Sequence, residues 1–90
     1  MKPFLLSILT SEKKIFEGEV VSLIAPAELG YLGVWANHAP LFANLSSGNI
    51  IFRKKEEEVP VIFKYKGDGF LEVLKNKVTL LLNQTSYNEK

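Results

Sequence analysis

The chain has 90 residues, 47% of them hydrophobic, and eleven basic against ten acidic side chains leave a formal charge of +1. That length suits one small domain, burying about 64% of its extended surface on folding, and the hydrophobic content lies above the disordered range. Near-neutral charge argues against a strongly basic nucleic-acid binder and an acidic tail, while the absence of cysteine excludes a disulfide framework, a thiolate nucleophile and a cysteine zinc site. His38 is the single histidine, Arg53 the single arginine and Asp68 the single aspartate. Multi-histidine metal sites, a bidentate arginine cluster for phosphate and a two-aspartate metal site therefore cannot be assembled. No metal and no cofactor is expected, and the chain reads as built to bind rather than to catalyse.

In chain order, Phe4 to Thr10 is apolar on both faces, as a buried strand would be. Lys13 to Glu17 is a short second piece ended by Gly18, and Glu19 to Pro26 is rich in β-branched residues. A loop is expected from Pro26 to Pro40, followed by strands at Leu41 to Leu45 and, past the Ser46-Ser47-Gly48 turn, Asn49 to Arg53. Lys54 to Glu58 is a charged connection whose opposite charges compensate. Val59 to Tyr65 is a strand that Pro60 places at a sheet edge, because proline cannot donate to a ladder. The turn Lys66-Gly67-Asp68-Gly69 leads to Phe70 to Leu74 and Val78 to Leu82 across Lys75-Asn76-Lys77. Phe52, Phe63, Phe70 and Trp35 are read as core, with a partner contact as the alternative for Trp35.

The fold class is therefore all-β, a small two-sheet sandwich or flattened barrel of about eight to ten short strands. Residues 1–83 form the domain and 84–90 a frayed polar tail. Lys2 with Phe4-Leu5-Leu6 begins like a signal peptide, but the apolar run stops at Leu9 with no cleavage site after it. No stretch approaches the roughly 20 apolar residues that span a bilayer. These features set the expectation of a soluble, cytoplasm-side protein.

The segment Pro26 to Leu41 reads P-A-E-L-G-Y-L-G-V-W-A-N-H-A-P-L. Gly30 and Gly33 permit a tight turn that exposes Tyr31 and Leu32 at a tip, and Pro40 holds Ala39 extended as the chain re-enters the fold. An exposed aromatic-aliphatic tip suits a partner contact. His38 could act as a general base; a serine triad would need Ser46 or Ser47 to meet both His38 and Asp68, and no nucleophile elbow is present.

Several spaced motifs resemble one family, the amino-terminal β-sandwich domain of the epsilon subunit of F-type ATP synthases. Pro26, Gly30, Gly33, Val34, His38, Ala39, Pro40, Leu41 and Gly48 fall in register with its P-x-x-x-G-x-x-G-[IV]-x-x-x-H-A-P-L segment and the glycine after it. Phe16-Glu17-Gly18-Glu19-Val20 resembles its F-x-G-x-V turn, Gly69 to Val73 its G-F-L-E-V and Asn76 to Thr79 its N-x-V-T. The chain departs from the pattern at Asn37, where glycine is usual, at Trp35, where a smaller aliphatic residue is usual, and at Asp68 within the glycine turn. The family's carboxy-terminal helical hairpin has no counterpart in these 90 residues, so its regulatory roles are not carried over. A naturally short member and a fragment both remain open.

The resemblance implies a non-catalytic central-stalk subunit, docked on the gamma subunit and on the polar loops of the membrane c-ring, coupling proton or sodium flow to ATP synthesis. It would be peripheral to a bacterial cytoplasmic membrane, on the cytoplasmic side, with no nucleic-acid partner. Gly30, Tyr31, Leu32 and Gly33 would face the c-ring, and Thr10, His38, Leu41, Phe42 and Ala43 would lie on or near the gamma face. The alternative is a stand-alone small-ligand-binding β-barrel or hydrolase using His38.

Overall fold

The computed structural model describes residues 2–83; the tail expected at 84–90 lies outside the described residues. Nine strands follow one another: β1 (Phe4–Leu9), β2 (Lys14–Val20), β3 (Ser22–Ala27), β4 (Gly30–Val34), β5 (Leu41–Leu45), β6 (Gly48–Arg53), β7 (Val61–Tyr65), β8 (Gly69–Leu74) and β9 (Lys77–Leu82). The described residues contain no helix long and apolar enough to cross a membrane.

The strands form one curled sheet in the order β2-β1-β9-β8-β5-β3-β6-β7, with β4 on the other edge of β3. The β5–β3 link is a single bridge, Ala27 opposite Leu45. That narrow hinge divides the sheet into a five-stranded layer, β2-β1-β9-β8-β5, and a four-stranded layer, β4-β3-β6-β7. The layers fold over one another as a sandwich. Every pairing is antiparallel except β1 with β9, which joins the first strand to the last in parallel.

Alternation along the strands builds the core. The five-stranded layer turns Leu6, Ile8, Leu71, Val73, Val78 and Leu80 inward, and the four-stranded layer answers with Leu23, Ala25, Val34, Ile50, Phe52 and Tyr65, all buried. Burying side chains of this size contributes about 1.5–3 kcal/mol each for the larger aliphatic and aromatic ones. The edge placement expected from Pro60 holds, since β7 ends the sheet order and begins one residue after the proline.

Three expectations change. Gly18 does not end the second strand; β2 runs through it to Val20, opposite Leu6 of β1. The expected loop from Pro26 to Pro40 contains β4, which forms a hairpin with β3 across the two-residue turn Glu28–Leu29. Pro26 stands inside β3, where its carbonyl accepts from Ser46 N, just past β5, at 2.8 Å. Phe70 and Trp35 are not core: they are 44% and 46% exposed. Phe70 shares the outward face of β8 with Glu72 and Leu74, while the Trp35 ring lies over Gly33, where a Cβ would meet it at 2.6 Å.

Candidate functional site

The strand ends sort the predicted site residues before any side chain is considered. Ala27, Leu45, Gly69 and Leu82 are linked by successive pairings at one end of the sandwich. The β3–β4 turn and the chain after β1, with Thr10, lie at that end. Leu41 pairs with Val73 at the opposite end, where the loop 35–40 carries His38.

Thr10 is buried and its hydroxyl is fully used within its own turn. Oγ1 accepts from the backbone N–H of Glu12 and Lys13, both at 3.1 Å, and donates to the Lys13 carbonyl at 3.3 Å. Thr10 thus shapes the β1–β2 connection, as short hydroxyl side chains do in turns. His38 is half-buried, with Nδ1 2.7 Å from the Ala39 carbonyl; a proton on Nδ1 satisfies that oxygen and leaves Nε2 as an acceptor. The preceding Asn37 takes φ 65° and donates its N–H to Asn76 Oδ1 at 2.7 Å. Asparagine tolerates this left-handed conformation, which explains how it stands where the family pattern has glycine.

Among the described residues, nothing at His38 assembles a hydrolytic triad. Ser46 Oγ donates to the Ala27 carbonyl and Ser47 Oγ bridges to Gly67, while Asp68 accepts from Asn83 Nδ2 at 2.7 Å. All of these groups lie past the Leu45 end of β5 and His38 lies before its Leu41 end, a strand length of roughly 13 Å apart. The described residues also hold no group of three or more His, Cys, Asp or Glu placed to ligate a metal.

On the β3–β4 hairpin the exposed tip is Glu28–Leu29, with Leu29 fully exposed; Tyr31 and Leu32 are one strand step back. Leu32 turns inward and packs against the core. Tyr31 turns outward but lies across Pro26 and Gly48, and its hydroxyl accepts from Asn49 N at 3.1 Å. Gly48 is required there, because a Cβ would meet the Tyr31 hydroxyl at 2.7 Å and Pro26 Cβ at 2.8 Å.

Leu41, Phe42 and Ala43 sit on β5, where Phe42 points away from the core and is 66% exposed. Its ring stacks on Phe70 of β8, centroids 5.4 Å apart and planes 25° from parallel. Phe70 pairs with Leu81, and Leu81 with Leu9, so the apolar surface continues across β8, β9 and β1. Phe70 and Leu81 escaped the sequence reading; the alternation F-L-E-V-L, with Glu72 two residues from Phe70, was the available signal. Leu29 was missed because Gly30 and Gly33 drew the expected tip forward by three residues, from Glu28–Leu29 to Tyr31–Leu32.

The structure also joins two sets that the sequence kept apart. Gly30, Tyr31 and Leu32 from one, and Leu41, Phe42 and Ala43 from the other, line a single open groove of about 480 Å³ between β4 and β5. Thr10 and His38 are not part of it, and neither is Gly33.

The geometry defines a small β-sandwich with an outward aromatic surface, an apolar hairpin tip and, among the described residues, no assembled catalytic centre. A family model described as the β-sandwich domain of the ATP synthase delta/epsilon chain matches residues 3–86, and the chain belongs to that family. It is similar to the ATP synthase epsilon chain of Dichelobacter nodosus, 37% identical over 93% of this chain and 57% of that one. The chloroplastic ATP synthase epsilon chain of Tetradesmus obliquus is 40% identical over 93% of this chain and 60% of its own length. The chain thus spans somewhat over half the length of these curated relatives. The fold is shared with a chain in the cryo-EM structure of the Euglena gracilis mitochondrial ATP synthase, with TM-score 0.82, 16% identity, and coverage of 94% of this chain and 53% of that one.

Proposed function

We propose that the chain is a non-catalytic rotor subunit of the central stalk of an F-type ATP synthase, coupling proton or sodium flow to ATP synthesis. It would work at the cytoplasmic side of a bacterial membrane, peripheral through the complex. The family match across nearly every described residue carries this reading, and the stacked, outward Phe42–Phe70 pair supplies a surface of the right chemistry. Exposed aromatic rings backed by a rigid sheet are what protein interfaces concentrate their affinity on.

In this reading the outer face of β5 and β8, with Phe42 at its centre, docks on gamma, and the loop with His38 flanks it. The hairpin tip meets the polar loops of the c-ring through Leu29 and Tyr31, with Gly30 and Gly33 shaping its backbone and Leu32 anchoring it from inside. Two modest contacts held together by one rigid body reinforce each other, since the second becomes effectively intramolecular. The test is reconstitution with synthase particles stripped of their own epsilon chain. Addition of this chain restores proton-driven ATP synthesis, and the Leu29→Ser, Phe42→Ser double variant, still folded, fails to. Full restoration by the double variant would refute the assignment of these surfaces.

A further inference from the structure

The stacked Phe42–Phe70 pair stands between two open cavities. Phe42 lines the groove of about 480 Å³ already described, and Phe70 lines a second of about 440 Å³ with Leu81 and Asp68. Glu28 and Asn44 line both and form their common wall. Among the described residues lining the two cavities, the charged ones are Glu28 and Asp68; no lysine, arginine or histidine is present. Glu28 is held in place from two sides. Its backbone N–H donates to the Asn44 carbonyl at 3.0 Å, and Asn44 Nδ2 donates to its Oε1 at 3.2 Å, which leaves Oε2 for a partner.

Glu72 brings a third carboxylate to the rings. It is directly opposite Phe42 in the β5–β8 pairing, which sets the two Cβ atoms about 5 Å apart on the outer face. Glu72 is exposed and makes no hydrogen bond or ion pair with another described residue. The other layer is built differently. β3, β4, β6 and β7 contain no acidic residue, and their charges are Arg53 and Lys64. The near-neutral chain thus keeps anionic groups around its aromatic pair and cationic groups on the opposite layer. Aromatic faces are themselves electron-rich, so rings and carboxylates act in the same sense, and a partner that covers them and displaces water strengthens the attraction for a cation.

We infer that the Phe42–Phe70 pair, flanked by Glu28 and Glu72, is the seat of an arginine side chain presented by the docking partner. A guanidinium can lie flat on an aromatic face and still direct its edge N–H groups to carboxylates, which an ammonium does less well. The exposed rings and Leu81 meet apolar surface around that side chain, while Glu28 and Glu72 fix the orientation of the partner through its charge. The identity of the partner rests on the stalk reading, which makes it gamma.

The experiment titrates the full chain with purified gamma subunit by calorimetry at low and high salt. The Glu28→Gln, Glu72→Gln double variant keeps the shape of both exposed side chains and removes two charges. It weakens gamma binding by at least about tenfold at low salt, the equivalent of about 1.4 kcal/mol, and by less at high salt, where the unmodified chain has itself lost affinity. Glu19→Gln with Glu57→Gln removes the same charge away from the rings and changes binding by less than about twofold. Phe42→Leu keeps the apolar area but not the aromatic face, and shrinks the effect of Glu72→Gln. If gamma binds and the Glu28, Glu72 variant matches the unmodified chain, or weakens no more than the Glu19, Glu57 variant, the arginine seat is overturned and the stalk reading stands. If gamma does not bind the unmodified chain at all, both fall.

Discussion

Tyr31 and Phe42 are almost equally exposed, at 59% and 66%, yet the fold treats the two rings differently. Tyr31 lies along its own sheet, over Pro26 and the bare backbone of Gly48, and its hydroxyl is tied to Asn49. Phe42 stands off the opposite layer and touches another exposed ring, Phe70. One aromatic closes the surface of the sandwich and the other offers it. Exposure alone does not mark a docking residue; the commitment of its atoms does.

The largest expected effect comes from breaking the Tyr31 arrangement at its base. Gly48→Ala drives a methyl group into the Tyr31 hydroxyl and Pro26 and places a side chain at φ 156°, destabilising the domain by about 1–3 kcal/mol in urea denaturation. Phe42→Ala with Phe70→Ala should invert the pattern. Loss of the stacked pair costs the isolated domain about 0.5–1.5 kcal/mol, whereas binding to gamma falls by about two orders of magnitude, the loss of two anchors worth over 1 kcal/mol each. Calorimetric titration of the folded double variant checks this. Binding retained at wild-type affinity would show that the exposed pair is not an anchor.

Smaller effects sharpen the contrast. Tyr31→Phe removes one hydroxyl acceptor and should cost about 0.5–1.5 kcal/mol of stability, with gamma binding unchanged. Tyr65 supplies the buried counterpart. Its hydroxyl lies within bonding reach of the Asp68 and Asn83 carbonyls, and burial raises its pKa above the usual tyrosine value, with Asp68 adding to the rise and Asn83 opposing it. A raised folded-state pKa favours the neutral phenol, so its stabilising contribution is complete below about pH 10 and is lost as pH climbs through the folded value. A stability profile that keeps the same high-pH decline in Tyr65→Phe would assign that decline to other groups.

The smallest effect lies at the exposed Lys14–Glu17 pair. The hydrogen bond and charge of Lys14 lower the Glu17 pKa, so its contribution is present above the unfolded value and fades as pH falls through the folded one. Solvent screening makes it weak. Raising salt should abolish any stability difference between the chain and Lys14→Met.

The comparison also explains what was legible in the residues. Strands such as β3, β6 and β9 announce themselves through β-branched and aliphatic runs, and Pro60 marked an edge correctly because a missing N–H is a local fact. β4 was hidden because Gly30, Gly33 and Pro26 are loop formers by propensity, while the pairing that makes them strand comes from β3 and from Ser46. The tie between Tyr31 and Asn49 and the meeting of β4 with β5 in one groove both depend on residues distant in sequence or on backbone direction. No local pattern encodes them. Phe42 was identified through family resemblance, but its partner Phe70 required the sheet register.

The most direct test of the central claim is a gentle affinity purification of the tagged protein from membranes of its source organism, with mass spectrometry of every chain recovered. The stalk account predicts gamma and c-ring subunits in stoichiometric amounts, lost together from the Phe42→Ala, Phe70→Ala variant. Recovery of neither, under conditions that keep the synthase intact, would contradict it.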